Sequence, residues 1–431
     1  MDEQKQQIFT SIEDGDLTKL QALINKHKIN NFNFTNDKGL TPIYLATVKG
    51  EIEMIKTLKK AGADVNKTVD NGISPIHIAA YNGDEQSVKT LKECGADINQ
   101  TMENGSIALH MAAEQGHVEI IKILHDYDID MNSIMENGTS VLYLAAQNGH
   151  SQVIKQLCKY GADVNQCMEN GVTPLHIAAQ NGHVQAIKAL KECGADINQT
   201  MENNTAAIHI AAQNGRIQAI KALKECGADI NQTVENGANP LHIAAERGHV
   251  QVIKTLAEYD IDINSTMDNK VTAMHIAAEN GHIQVMKLLK EYGADINNTI
   301  DGGVTPVHVA AYKGHVEAIK TLKELGADIN SAMDSGATAL HITAERGYDK
   351  AMVALINCGA NLDSTMNMGL TPVYIAAKNG HTETIKILQQ HGANIDKAIT
   401  DGTTPIYIAT KNGHTATINT LKELGVKTEA N

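Results

Sequence analysis

A histidine or tyrosine returns every 33 residues along this chain. Take His176 in VTPLHIAAQNGH as the marker. Its equivalents at 44, 77, 110, 143, 176, 209, 242, 275, 308, 341, 374 and 407 are all His or Tyr, and every interval is 33 residues. Twelve units follow one another without insertion or deletion. The phrase KECGADINQTMEN even stands letter for letter at 92–104 and at 191–203. A fixed period of this length marks a repeat architecture, in which each unit is one small element stacked on the next. A chain of 431 residues has room for two or three ordinary domains. With 3% aromatics and no Trp, it points instead to many small, similar cores.

Each unit has the same plan. A turn ends in Gly, as at Gly171. Thr173-Pro174 follows, with Thr suited to cap a helix and Pro pre-set for its first turn. All seven Pro of the chain fall at this one position. The pattern predicts a short helix through LHIAAQN ending at Gly182, then a second through HVQAIKALKEC ending at Gly194. ADINQTMEN carries the chain to the next unit as an extended, hairpin-like finger. Helices of about three turns are marginal alone, so a unit persists only against its neighbours.

TPLHIAAQNGH followed by GADIN, at this period, resembles the ankyrin repeat over about residues 36–431. The resemblance implies an all-α solenoid of helix-turn-helix units joined by β-hairpin-like fingers, with fingers and first helices lining a concave face. Twelve repeats would then form one continuous stack, roughly 110–130 Å long at normal helix spacing. Residues 1–35 read as an N-terminal capping repeat. All three Phe (9, 32 and 34) sit there. Three positions depart from the pattern. Asp128 and Asp260 replace the Gly after the second helix, and Lys270 replaces the turn Gly, a position that favours a left-handed backbone. The tenth unit diverges most, reading GYDKAMVALIN, which predicts a softer joint or a partner boundary near Tyr348–Asn357.

The repeats and cap consume the chain, leaving nothing for a catalytic domain. The Gly residues form no phosphate-binding motif. Most of the nineteen His fall in two ladders, the marker row and the start of the second helix. One imidazole per repeat cannot surround a metal, and Tyr replaces His at the marker, so the His are read as structural. Neither a catalytic residue, a cofactor nor a metal is expected. Six Cys do not make a disulfide framework. Same-position neighbours such as Cys193 and Cys226 lie one repeat spacing apart, beyond the roughly 7 Å limit for bridging. They read as reduced thiols in a reducing, cytoplasmic compartment. A net charge of −14 argues against nucleic acid. No apolar run approaches the ~20 residues of a membrane span, and the N-terminus lacks a signal-peptide pattern.

Function must then reside on the surface. The finger residue seven before the marker is acidic in nine consecutive units: Asp70, Glu103, Glu136, Glu169, Glu202, Glu235, Asp268, Asp301 and Asp334. The exposed end of the first helix carries Glu114, Gln147, Gln180, Gln213 and Glu246 at corresponding places. Lys recurs on the second helix instead, at positions such as Lys122, Lys155 and Lys188. Two readings stand: a solvated face serving solubility, or an acidic and amide-rich groove for a basic or extended segment of a protein partner. One residue before the acids runs an apolar row that includes Met135, Met168 and Met201. It either packs finger on finger or forms an exposed binding stripe.

Together these point to a non-enzymatic protein-binding scaffold, a monomer or weak homo-oligomer. The alternatives are a self-associating structural array and, because the resemblance extends to such proteins, an effector of an intracellular bacterium delivered to a host cell.

Overall fold

A computed structural model describes residues 3–27 and 31–426. Residues 1–2 and 28–30 of the expected cap, and 427–431 of the repeat run, lie outside the described residues. The described residues contain twenty-six α-helices and two 3₁₀ turns, Asp70–Gly72 and Asn367–Gly369. They form no sheet, only isolated antiparallel bridges such as Ile134–Ser140 and Thr266–Thr272. The chain divides into two compact units, Met1–Asp229 and Ile230–Asn431.

In the first unit, helix Glu3–Glu13 packs on Leu17–His27 and on Pro42–Val48. Phe9 and Phe32 are buried, and Phe34 meets Phe9 edge to face at 5.7 Å. After this opening, helices come in pairs. The pair around His176 is Pro174–Asn181 and Val184–Glu192. First helices pack on first helices, as Pro75–Asn82 does on Ala108–Gln115, and second on second, as Ser151–Lys159 does on Val184–Glu192. Ala178 and Ala179 are fully buried, so two small side chains per helix let the first-helix layer close up. Ile187 and Leu190 fill the space between the layers. The second unit repeats this arrangement, from Pro240–Arg247 through Thr415–Glu423.

The local chemistry explains why His and Tyr alternate at the marker. Where the marker is Tyr, a hydroxyl caps the helix: Thr41 Oγ1 accepts the Tyr44 N–H at 3.2 Å, and Thr371 Oγ1 accepts that of Tyr374 at 3.2 Å. Where it is His, the ring itself closes the cap. His176 Nδ1 accepts the Thr173 N–H at 3.1 Å and lies 2.8 Å from its Oγ1. That places the ring proton on Nε2, which donates to the Thr205 carbonyl of the next finger at 3.2 Å. His275 and His341 repeat the arrangement toward Val304 and Leu370. His77, His176, His242, His275 and His341 thus join a helix start to the following repeat, whereas the buried Nε2 atoms of His110 and His308 find no partner.

The second His ladder also ties neighbours together. His117 Nε2 donates to the Tyr81 carbonyl at 2.8 Å, His150 to Glu114 at 2.8 Å and His381 to Glu345 at 2.9 Å. The ring lies over the Gly that ends the preceding first helix. A Cβ on Gly83 would sit 2.6 Å from His117 Nδ1, and φ there is +71°. Only Gly satisfies both the left-handed turn and the close approach.

The departures take the backbone their positions require. Asp128, Asp260 and Lys270 have φ of 60°, 59° and 62°. Asn71, Asn204 and Met368 are also left-handed, at 61°, 59° and 66°. Sequence reasoning passed over these three, although Asn is the side chain that adopts this region most readily.

Candidate interaction surface

Each finger is a tight hairpin. Met102 accepts the Gly105 N–H through its carbonyl at 3.0 Å and donates its own N–H to the Ser106 carbonyl at 2.8 Å. Gly105 has φ +78°, the left-handed residue that closes a three-residue loop. This turn places the acidic residue at the exposed tip. In the first unit Asp70, Glu103, Glu136, Glu169 and Glu202 are all exposed, as are Glu235, Asp268, Asp301 and Asp334 in the second.

The fingers touch each other through backbone. The Glu103 N–H donates to the Asn71 carbonyl at 3.1 Å and the Glu136 N–H to Asn104 at 3.1 Å. In the second unit Asp334 donates to Gly302 at 2.9 Å and Asn367 to Ser335 at 2.9 Å. A Cβ on Gly171 would lie 3.0 Å from the Met201 Cα. Against this spacing the row before the acids is half-buried: Met135, Met168 and Met201 each keep one edge in solvent, and Ile399 is buried.

Gln147, Gln180, Gln213 and Glu246, at the ends of the first helices, are exposed, whereas Glu114 is half-buried. The second unit mixes signs on this face. Arg247 and Arg346 stand beside Glu246 and Glu345; Lys313 pairs with Glu279 at 3.1 Å and Lys270 with Asp301 at 3.0 Å. Arg346 also stacks on the Tyr312 ring at 3.6 Å. The acidic and amide-rich character is thus cleaner in the first unit.

Counterions distinguish the two faces. On the second-helix wall, Lys122 pairs with Glu119 at 2.6 Å, Lys155 with Glu192 at 2.6 Å and Lys188 with Glu225 at 2.8 Å. At these positions the wall carries both signs in contact rather than free positive charge. Among the described residues, Glu103, Glu136, Glu169 and Glu202 make no ion pair within the chain.

The tenth unit departs on this wall. Val353 stands where its neighbours carry Lys, and an open groove of about 620 Å³ runs past Val316, Val353, Ala354 and Ile387.

The finger bases hold a feature that sequence reasoning missed. Asn66 Oδ1 accepts the Asp97 N–H at 2.9 Å, Asn165 that of Asp196 at 3.0 Å and Asn297 that of Asp328 at 3.0 Å. The Asn of GADIN thus reaches the GAD of the following repeat. Its recurrence in every GADIN was the available signal.

Among the described residues, no three His, Cys, Asp or Glu converge as a metal site, and no helix is long and apolar enough to cross a membrane. Burial lowers the pKa of His77, His110, His176, His242, His275, His308 and His341, to about 4 for His110, His176 and His275. These rings are neutral structural links.

Paired short helices, stacked layer on layer and joined by hairpin fingers, define a helical-repeat protein. The family model for ankyrin repeats (3 copies) matches residues 8–102, 76–167, 109–201, 163–234, 208–300, 297–366 and 340–431. The chain belongs to the ankyrin-repeat family. Ankyrin repeats are generally protein–protein interaction modules. No curated protein matched the chain.

Proposed function

We propose that the chain is a non-enzymatic scaffold that holds a basic, extended segment of a partner protein along its finger tips and first-helix ends. The observation that carries this reading is the counterion asymmetry. The finger carboxylates Glu103, Glu136, Glu169 and Glu202 are exposed without an internal ion-pair partner, while Lys122, Lys155 and Lys188 of the second helices in the same unit are matched by glutamates of their own wall. Unpaired charge of one sign, repeated at a fixed interval, attracts a partner of opposite sign and sets its register. The backbone-linked fingers hold these groups in place before binding, which limits the ordering cost. Gln147, Gln180 and Gln213 add amide donors and acceptors able to read an extended backbone. Met135, Met168 and Met201 supply adaptable apolar edges between the tips.

The proposal treats 1–35 as a cap and 36–431 as one continuous run of repeats, working in a reducing cytoplasmic compartment. Limited proteolysis that releases separate halves near Asp229 would contradict the continuous run.

The test is capture from a lysate with the wild type and a variant carrying Lys at Glu103, Glu136, Glu169, Glu202 and Glu235, after circular dichroism shows equal helicity. Partners lost by the variant alone, with binding weakened by salt, support the acidic surface. Partners retained equally by both proteins overturn it.

A further inference from the structure

We propose that the groove at the tenth repeat is a second docking surface, which receives an amphipathic helix of a partner protein bearing a carboxylate beside its apolar face. The groove lies on the second-helix wall and does not depend on what the fingers bind. Three second helices, Val316–Glu324, Asp349–Asn357 and Thr382–Gln390, pack side by side there. Val316, Val353, Ala354 and Ile387 line the opening, about 620 Å³ in volume.

The groove arises where the charge pattern of the wall is interrupted. The preceding repeats carry Lys at 155, 188, 221, 254, 287 and 320, and Glu at 192, 225, 258, 291 and 324. Such residues bridge adjacent repeats, as Lys155 does to Glu192 at 2.6 Å and Lys188 to Glu225 at 2.8 Å. The methylene stems of bridging lysines cover apolar surface beneath them. At the tenth repeat the Lys becomes Val353 and the Glu becomes Asn357; in the next repeat the Glu becomes Gln390. Neither bridge of this kind can form on either side of the tenth helix. Lys320 pairs instead with Glu317 of its own helix at 2.8 Å, and Lys386 with Glu383 of its own at 3.5 Å.

Charge selects the occupant. Lys350 stands where the flanking repeats carry Glu317 and Glu383, so the sign at this place is reversed. Lys350 is exposed and, among the described residues, makes no ion pair. The other charged groups along the groove are matched: Lys320 by Glu317, Glu383 by Lys386, and the Asp349 carboxylate by the Thr384 hydroxyl at 2.7 Å. A free cation beside an apolar groove complements an apolar face bordered by an acidic residue. Length selects a helix. The groove crosses two repeat spacings, roughly 16–20 Å, which is the length of a helix of about 11–13 residues. Such a helix presents apolar anchors at i, i+3 or i+4, and i+7 along one side. An open groove leaves much of a small molecule in water, whereas small-ligand pockets enclose most of the ligand.

The test selects displayed helical peptides of about 14 residues on the intact chain. Survivors are then compared on Val353→Lys and Lys350→Glu by fluorescence anisotropy. The first variant restores the residue of the neighbouring repeats and the second restores their sign, so both should fold, which circular dichroism checks. Enriched peptides should combine the apolar row with a flanking Asp or Glu. Their affinity should fall about tenfold or more on Val353→Lys. The loss on Lys350→Glu should be recovered when the acid of the peptide is changed to Lys. The variant with Lys at the five finger glutamates should bind them like the wild type, which separates this surface from the fingers. Survivors that bind Val353→Lys as tightly as the wild type, or basic survivors lost only on the finger variant, would overturn the proposal. So would an empty selection, self-association of the wild type that Val353→Lys abolishes, or binding of laurate without any peptide.

Discussion

Acidification should loosen the stack through its marker histidines. His110, His176 and His275 have pKa values of about 4 in the fold against 6.5 for an exposed imidazole, because burial disfavours the charged ring. The sign follows from proton counting. Above pH 6.5 the rings are neutral in both states and favour neither. Between 6.5 and about 4 the unfolded chain takes up protons that the folded chain refuses, so stability falls as pH falls. Below about 4 both states are charged and the loss is complete. At about 1.4 kcal/mol per pH unit, that interval costs about 3 kcal/mol for each of these three rings. His77, His242, His308 and His341 shift in the same direction. Since folded proteins hold only about 5–15 kcal/mol in reserve, such losses should unfold the chain before the rings are fully titrated. The assay is urea unfolding followed by circular dichroism at about pH 7.5, 6 and 5, comparing the wild type with His176→Tyr. Tyr already occupies the marker at 44, 143, 374 and 407. The variant should lose about 1.4 kcal/mol per pH unit of the dependence below pH 6.5. A midpoint that stays level down to pH 5, or identical slopes for the two proteins, would refute the reasoning.

Three further outcomes follow from the geometry. Met168→Asp, which puts a charge into the half-buried row between fingers, should lower the urea midpoint by the equivalent of about 1–2 kcal/mol; an unchanged midpoint with lost binding would make the row a contact surface instead. Gly83→Ala should cost distinctly more than Gly95→Ala in thermal unfolding. Both positions are left-handed, but only the first would drive a Cβ to 2.6 Å from an imidazole, and equal costs would remove the close-approach argument. Lys270→Gly should raise stability by about 1 kcal/mol, since φ is 62° and the exposed pair with Asp301 contributes little. A lower melting temperature would show that the pair outweighs the backbone relief.

What could be read in advance was local or periodic. Pro174 and Gly182 bound a helix through their own backbone preferences, and the marker interval made the stack visible before any coordinate. The exposure of Glu103 and Glu169 follows from their place at a turn tip. The lost information lies in register between repeats. Asn165 contacts a residue 31 places on, and His183 contacts a carbonyl 36 places back. Neither offset equals the period, so aligning repeats column by column does not reveal them. The Lys155–Glu192 pair escaped for the same reason, because its Glu stands in the following repeat. The role of His176 as a cap partner was hidden because that task usually falls to Glu or Gln.

The offsets carry one more implication. The Asn and His links reach only into the adjoining repeat, and they are made by the same few residues each time. A recombination event that removes or adds one period within a run of near-identical units therefore rebuilds, at the new junction, the bonds it severed. Length becomes a heritable variable that can drift with little penalty to folding, and two copies of a thirteen-residue phrase are the trace such copying would leave.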